Sequence, residues 1–185
     1  MEVKGVSVKP AVLFVREKFP EQYNAWLRRL PEESRIIMSD FISLKKWYPL
    51  KAGLVYPTRL IGEMFFDDIE QGAFELGVYS SQIALKGVYK VLAKVSSPSF
   101  IVNRASSLME SYYRPAVMDV TEKSNRHAVL SIIDFPEPDI TVDYRIFGWI
   151  KNTMEFSNFR MPKVKMRKSM AKGDLVTEYY VGWFE

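Results

Sequence analysis

The sequence predicts a single α+β domain in which a helical N-terminal part packs on a C-terminal antiparallel sheet of ββαββ order. Three observations point there. Residues 114–121 and 126–135 are rich in Val, Ile, Leu and Met, and the polar run Glu122-Lys123-Ser124-Asn125 divides them as a hairpin loop would. Residues 163–167 alternate, with Val164 and Met166 on one face and Lys163, Lys165 and Arg167 on the other. Their partner is 175–184, which carries Val, Thr, Tyr and Trp, and Ala171-Lys172-Gly173-Asp174 supplies the turn. Between the two hairpins Val142, Ile146, Trp149, Ile150 and Met154 recur at helical spacing, so a helix is expected to cover one face of the sheet.

Ahead of this region the chain divides into N-terminal helices and an arm (1–50) and a helical core (51–113). Residues 5–9 read as an edge strand or arm. Pro10, Pro20 and Pro31 bound two short helices at 11–18 and 21–30, the second with Tyr23, Trp26, Leu27 and Leu30 on one face. Pro31-Glu32-Glu33-Ser34 can begin a further helical segment, and 35–38 is too short to assign. Trp47-Tyr48-Pro49-Leu50 forms an aromatic corner before a helix marked by Leu54, Thr58, Ile61 and Phe65, which Pro57 bends or starts. Asp67 and Asp68 suit the positive start of the next helix, which runs to about Gly87 with breaks expected near Gly72 and Gly77. A helix over 88–95 follows. Ser97-Pro98 then caps a helix whose stripe is Ile101, Ala105, Leu108 and Tyr112, running straight into the first sheet strand.

Composition narrows the chemistry. At 185 residues the chain is long enough to bury a substantial core, and its 14% aromatic content suffices to line a cavity as well as fill one. The absence of cysteine excludes disulfides, thiolate metal sites, cysteine nucleophiles and palmitoylation, and makes a reduced, cytoplasmic setting the expectation. No signal peptide or membrane span is expected, because no apolar run approaches the necessary length. A net charge of +4 is too small to imply nucleic acid.

No residue set declares a reaction, so no catalytic residue, cofactor or metal site is assigned. His127 is the sole histidine and falls in a strand, where a structural role is the simpler reading. Asp67, Asp68 and Glu70 are better explained by helix capping than by a hard cation, since no EF-hand spacing accompanies them. Asp134, Glu137 and Asp139 lie in a Pro-rich turn where carboxylates are common. Arg160, Lys163, Lys165, Arg167, Lys168 and Lys172 form one basic cluster, which either meets an anionic surface or acidic partner or simply keeps a sheet edge solvated. No base-stacking motif accompanies it, so sequence-specific nucleic-acid binding is not expected. Phe65, Tyr89, Tyr112, Tyr113, Phe147 and Trp149 are the candidate lining of an apolar pocket, with Arg114 placed to neutralise an acidic head group; core packing is the competing explanation.

Several pieces in order carry a resemblance: Trp26-Leu27 in a Pro-bounded helix, Trp47-Tyr48-Pro49-Leu50, Gly72 with Gly77, Gly87-Val88-Tyr89, Ser97-Pro98, Tyr112-Tyr113, and the hairpin from Gly173-Asp174 to Trp183. From about Glu21 onward the chain resembles bacterial members of the ligand-binding superfamily shared by haem nitric-oxide-binding domains, vinyl-reductase-type domains and TRAPP subunits. The resemblance implies an α+β fold with an apolar pocket between helices and sheet. It also exposes departures. Haem nitric-oxide-binding domains hold iron through a helical histidine and the propionates through Tyr-x-Ser-x-Arg, whereas Ser111-Tyr112-Tyr113-Arg114 has those residue types at another spacing and His127 is in a strand. The cysteines used by the other two branches are missing. The resulting expectation is a non-enzymatic sensory or adaptor domain binding a small apolar ligand or a protein partner, with a haem-dependent gas sensor or an enzyme without a recognisable motif as alternatives. A homodimer through an exposed Tyr23, Trp26 and Leu30 face is also expected.

Overall fold

The computed structural model describes residues 1–86, 102, 104–156 and 160–184. Strand β1 (Glu2–Lys4) leads directly into α1 (Gly5–Lys18). The expected boundary at Pro10 is therefore absent, and 5–9 are helical. An interior proline costs about 3 kcal/mol. Val8, Ala11, Val12 and Val15 are all buried, and at about 1.5 to 3 kcal/mol for a valine side chain their burial outweighs it. After a 3-10 turn come α2 (Tyr23–Arg29) and α3 (Glu32–Ser39), the latter with two glutamates in its first turn. Trp26 and Leu30 are buried, so the face expected to mediate dimerisation is already spent inside the chain.

The aromatic corner is strand β2 (Trp47–Pro49), antiparallel to β1 with Val3 opposite Tyr48. A π-helical turn, Lys51–Val55, leads into α4 (Tyr56–Phe65), with Pro57 in the first helical turn where its missing N–H costs little. Helix α5 (Ile69–Lys86) begins at Asp68, whose Oδ1 accepts the backbone N–H groups of Glu70 and Gln71 at 2.8 and 3.1 Å. It is continuous through Gly72 and Gly77. These glycines mark close approach: a Cβ on Gly72 would stand 2.4 Å from the Cα of Gly62 in α4, and one on Gly77 2.2 Å from the carbonyl oxygen of Arg145. The expected helix over 88–95, and the start of the one over 97–113, lie outside the described residues.

Helix α6 (Ala105–Tyr112) ends in the two-residue strand β3 (Tyr113–Arg114), which pairs with β1 to complete a sheet of order β2-β1-β3. The helix thus does not run into the main sheet as expected. Pro115 offers no N–H to a ladder and separates β3 from β4 (Val117–Lys123). β4 and β5 (His127–Asp134) form the first hairpin, and β6 (Arg160–Lys168) and β7 (Thr177–Phe184) the second. They join through β5 and β7 into one antiparallel sheet, order β4-β5-β7-β6. β7 begins two residues later than expected because Leu175, 92% exposed, belongs to the turn, where Gly173 takes φ +97°. Helix α7 (Ile140–Phe156) lies between the hairpins in sequence and packs on both the sheet and α5. Across the inner sheet face the buried pairs Ala128 with Val181 and Leu130 with Tyr179 carry the core.

Candidate functional site

A cavity of about 110 Å3 lies where α1, α5, α6, α7 and the β4–β5 hairpin converge. Its wall is largely apolar. From α6 come Leu108, Met109 and Tyr112; from α7, Ile146, Trp149 and Ile150; from the sheet, Met118 and Leu130. The spacing of the α6 and α7 residues is the helical stripe seen in the sequence, so amphipathicity delivers both rows to one interior. A smaller void of about 60 Å3 continues past Leu108, Trp149 and Leu130 toward Thr153, Met154 and Val181.

One end of the main cavity is polar. Arg145 is 4% exposed, and Gly77 and Gly148 hold its helix against α5 at backbone contact. Its Nη2 donates to the Ser7 carbonyl at 2.7 Å and to Ser80 Oγ at 3.3 Å, and its Nη1 donates to Thr58 Oγ1 at 3.3 Å. Both hydroxyls give their own protons to helix carbonyls, Thr58 to Leu54 and Ser80 to Leu76, leaving lone pairs for the guanidinium. Burial pulls the Arg145 pKa down to about 10, so the group is still a cation at neutral pH. No carboxylate pairs with it among the described residues. The neighbouring Tyr113 phenol is buried, which pushes its pKa up, with Arg145 and Ser7 partly opposing that shift.

A second buried polar cluster sits on the opposite side of α7. Asp143 accepts from Ser169 Oγ at 2.6 Å and Thr177 Oγ1 at 3.2 Å, and its carbonyl accepts from the Tyr179 hydroxyl at 2.9 Å. Desolvation raises its pKa to about 6, against the hydrogen bonds that lower it. This cluster fastens α7 to the turn before β7 and faces no cavity described above.

Of the pocket residues expected from sequence, Tyr112, Tyr113 and Trp149 do line the cavity. Phe147 instead packs on Phe74 and Tyr179 with ring centroids 5.3 and 6.5 Å apart, and Phe65 stacks on Phe19 at 4.1 Å. Tyr89 lies outside the described residues. Arg114 is not at the cavity: it is half-exposed, pairs with Glu2 at 2.7 Å and lies over the Trp47 ring at 4.1 Å. The cation at the cavity is Arg145. Its signal was present in the sequence, because position 145 falls within the apolar stripe of Val142, Ile146 and Trp149, where a solvent-facing arginine does not belong.

In the basic cluster Lys163, Lys165 and Arg167 share the exposed face of β6 as the alternation requires. Arg167 lies 4.2 Å from the centre of the Tyr180 ring, Lys168 is paired with Glu178, and Lys172 with Glu70 at 2.9 Å. Of Arg160 the structure describes the backbone, at the start of β6. His127 begins β5, where its ring bonds Glu122 at 2.6 Å and Ser124 at 2.8 Å and stacks on Tyr180. The acidic turn residues are also engaged: Asp139 caps α7 through the Thr141 N–H at 2.8 Å and meets Arg59 at 3.1 Å, while Glu137 meets Lys51 at 3.7 Å. No group of three or more metal-ligating His, Cys, Asp or Glu side chains occurs among the described residues, and no described helix is long and apolar enough to cross a membrane.

The sequence matches no family profile and no curated protein sequence. Solved structures are similar throughout the chain. An H-NOX protein from S. oneidensis, solved in an Fe(II)NO ligation state, superimposes with a TM-score of 0.74 at 12% identity, covering 98% of this chain and 99% of that one. The fold is that of H-NOX proteins. An H-NOX protein from K. algicida, in the Fe(II) unliganded state, gives 0.72 at 12% identity over 98% and 97% of the two chains. A further S. oneidensis H-NOX variant gives 0.75 at 12% identity.

The H-NOX fold raises the question of haem, against which the donors among the described residues can be set. The sole histidine is held by Glu122 and Ser124 on β5 and does not line the cavity. Among the described residues, the remaining side chains there that can bind iron are the thioethers of Met109 and Met118 and the phenols of Tyr112 and Tyr113, the last disfavoured as a phenolate by burial. Cofactor-sized pockets measure roughly 300 to 1,000 Å3, well above this cavity's 110 Å3. These residues do not fit a histidine-held haem.

Proposed function

We propose that this chain is a non-enzymatic sensory or adaptor domain that binds a small, largely apolar ligand between its helices and its sheet. The observation that carries this reading is the cavity walled by Leu108, Ile146, Trp149 and Ile150, with its few polar groups gathered at one end. An apolar wall with convergent polar groups is the usual form of a small-molecule site. Among the described residues, nothing lining the cavity supplies a nucleophile with its base, which favours binding over catalysis. The test is native mass spectrometry with solvent extraction, followed by a thermal-shift series with small apolar compounds. A ligand present at about 100 times its Kd stabilises by about 2.7 kcal/mol, which a melting curve resolves. The expected result is a stabilising ligand whose effect is lost when Ala84→Leu narrows the cavity; no stabilisation by any compound at millimolar concentration overturns the reading.

A second reading, a haem-dependent gas sensor, is favoured by the H-NOX fold itself. Titrating haem into the purified chain separates the two. A stoichiometric Soret band that persists in His127→Ala and is lost in a Tyr112 or Met109 variant supports the haem reading with a ligand other than histidine. Absence of a band leaves the apolar-ligand reading.

A further inference from the structure

We propose that the cavity takes a small monoanionic carboxylate, its acid group paired with Arg145 and its short acyl or single-ring body lying against Leu108, Trp149 and Ile150. This deepens the ligand-binding reading above and rests on it. Arg145 leaves an imbalance of charge inside the fold. Removing a guanidinium from water is expensive unless an anion accompanies it, yet Arg145 is 4% exposed and its three hydrogen-bond acceptors are neutral oxygens. A guanidinium has five N–H donors, so donors remain beyond the three bonds that Arg145 makes. Among the described residues no carboxylate reaches it. Asp143, the buried carboxylate of the same helix, is occupied by Ser169 and Thr177, and Asp139 by Arg59 and Thr141. Residues 87–101, the longest stretch outside the described ones, contain Lys90 and Lys94 but neither Asp nor Glu.

The rest of the cavity selects among anions. A phosphate dianion calls for several cations, and Arg145 is the only charged side chain in the wall among the described residues. A planar carboxylate matches one arginine fork and leaves the remainder of the ligand to an apolar wall. Size limits that remainder, since a dry cavity of about 150 Å3 accommodates benzene and this one measures about 110 Å3 with the 60 Å3 void beyond.

The experiment compares benzoate with benzamide, and hexanoate with hexanamide, on the full chain by calorimetry and ligand-observed NMR, with toluene as the apolar control. Each acid is expected to bind at least about tenfold more tightly than its amide, because a charge-assisted pair replaces a neutral hydrogen bond. Arg145→Gln is expected to reduce the acid's affinity to that of the amide, and Ala84→Leu to weaken both. If Arg145→Gln does not fold, the wild-type acid-to-amide ratio and Ala84→Leu decide. Equal affinity of acid and amide, or binding of toluene alone, overturns the carboxylate proposal while leaving the ligand-binding reading intact. Acid binding undiminished in Ala84→Leu places the acid elsewhere and also overturns it. No binding by acids, amides or toluene overturns the carboxylate proposal, and the ligand-binding reading then rests on the wider thermal-shift series.

Discussion

Replacing Gly148 by alanine is a severe test of how α5 and α7 are held together. Helix propensity alone makes Gly→Ala in a helix interior favourable by about 1 kcal/mol. The tertiary contact opposes this. A Cβ at Gly148 would stand 2.2 Å from the carbonyl oxygen of Phe74 and 3.0 Å from its carbon, and both are backbone atoms of α5 that no rotamer change can move. Ordinary contact begins at 3.4 Å, so the helices must part locally by 3.4 minus 2.2, about 1.2 Å. The reciprocal contact, Gly77 against the Arg145 carbonyl, spreads with it. Overpacking a core costs typically 1 to 3 kcal/mol and more where the backbone must shift, so after the propensity gain Gly148→Ala should destabilise by about 2 kcal/mol. For a chain of this size that lowers Tm by about 4 to 8 °C. Urea denaturation with a matched thermal melt is the assay. Gly173→Ala is the control: nothing lies within 4 Å of its Cβ, and with φ +97° its cost comes from backbone strain alone. A Gly148→Ala chain as stable as wild type would falsify the close helix crossing and the placement of Arg145 that depends on it.

Two other predictions follow from polar groups. Because burial raises the Asp143 pKa from 3.8 to about 6, the folded state holds that proton more tightly than the unfolded chain, so the stability it contributes is full below about pH 4 and is lost as pH rises through 6. Asp143→Asn removes this loss, and the stability difference between wild type and variant should move in the variant's favour by up to about 3 kcal/mol from pH 4 to pH 7; a difference that stays flat by urea denaturation refutes it. On the sheet, if the β6 face meets an anionic surface, the triple variant of Lys163, Lys165 and Arg167 to Glu should abolish low-salt retention on heparin or anionic vesicles, because counterion release supplies much of such binding. Retention equal to wild type means that the face is only solvated.

The sequence by itself determined what local periodicity can determine. Alternation over 163–167 placed Val164 and Met166 inward and the lysines outward, the stripe from Val142 to Met154 made α7 amphipathic, and the stripe with Leu108 and Tyr112 aimed α6 at the same interior. Asp68 capped its helix because a cap depends on neighbours three residues away. Where partners are distant in sequence, only the tertiary structure decided. Gly72 and Gly77 read as helix breakers, since in an isolated helix glycine has only an entropic cost, yet here they admit the backbones of α4 and α7. Pro10 read as a boundary because the burial that outweighs it comes from the rest of the core. Trp26 and Leu30 read as a free face for the same reason. Phe147 and Trp149 are two residues apart on one helix and point to opposite sides of it, so the cavity received one and the sheet core the other. Arg114 and Arg145 were alike as cations in the sequence, but Glu2, 112 positions away, claims the first, whereas α1, α4 and α5 enclose the second with neutral oxygens. Which arginine a ligand would meet was settled by that long-range packing, because burial is a property of the assembled chain and not of any local segment.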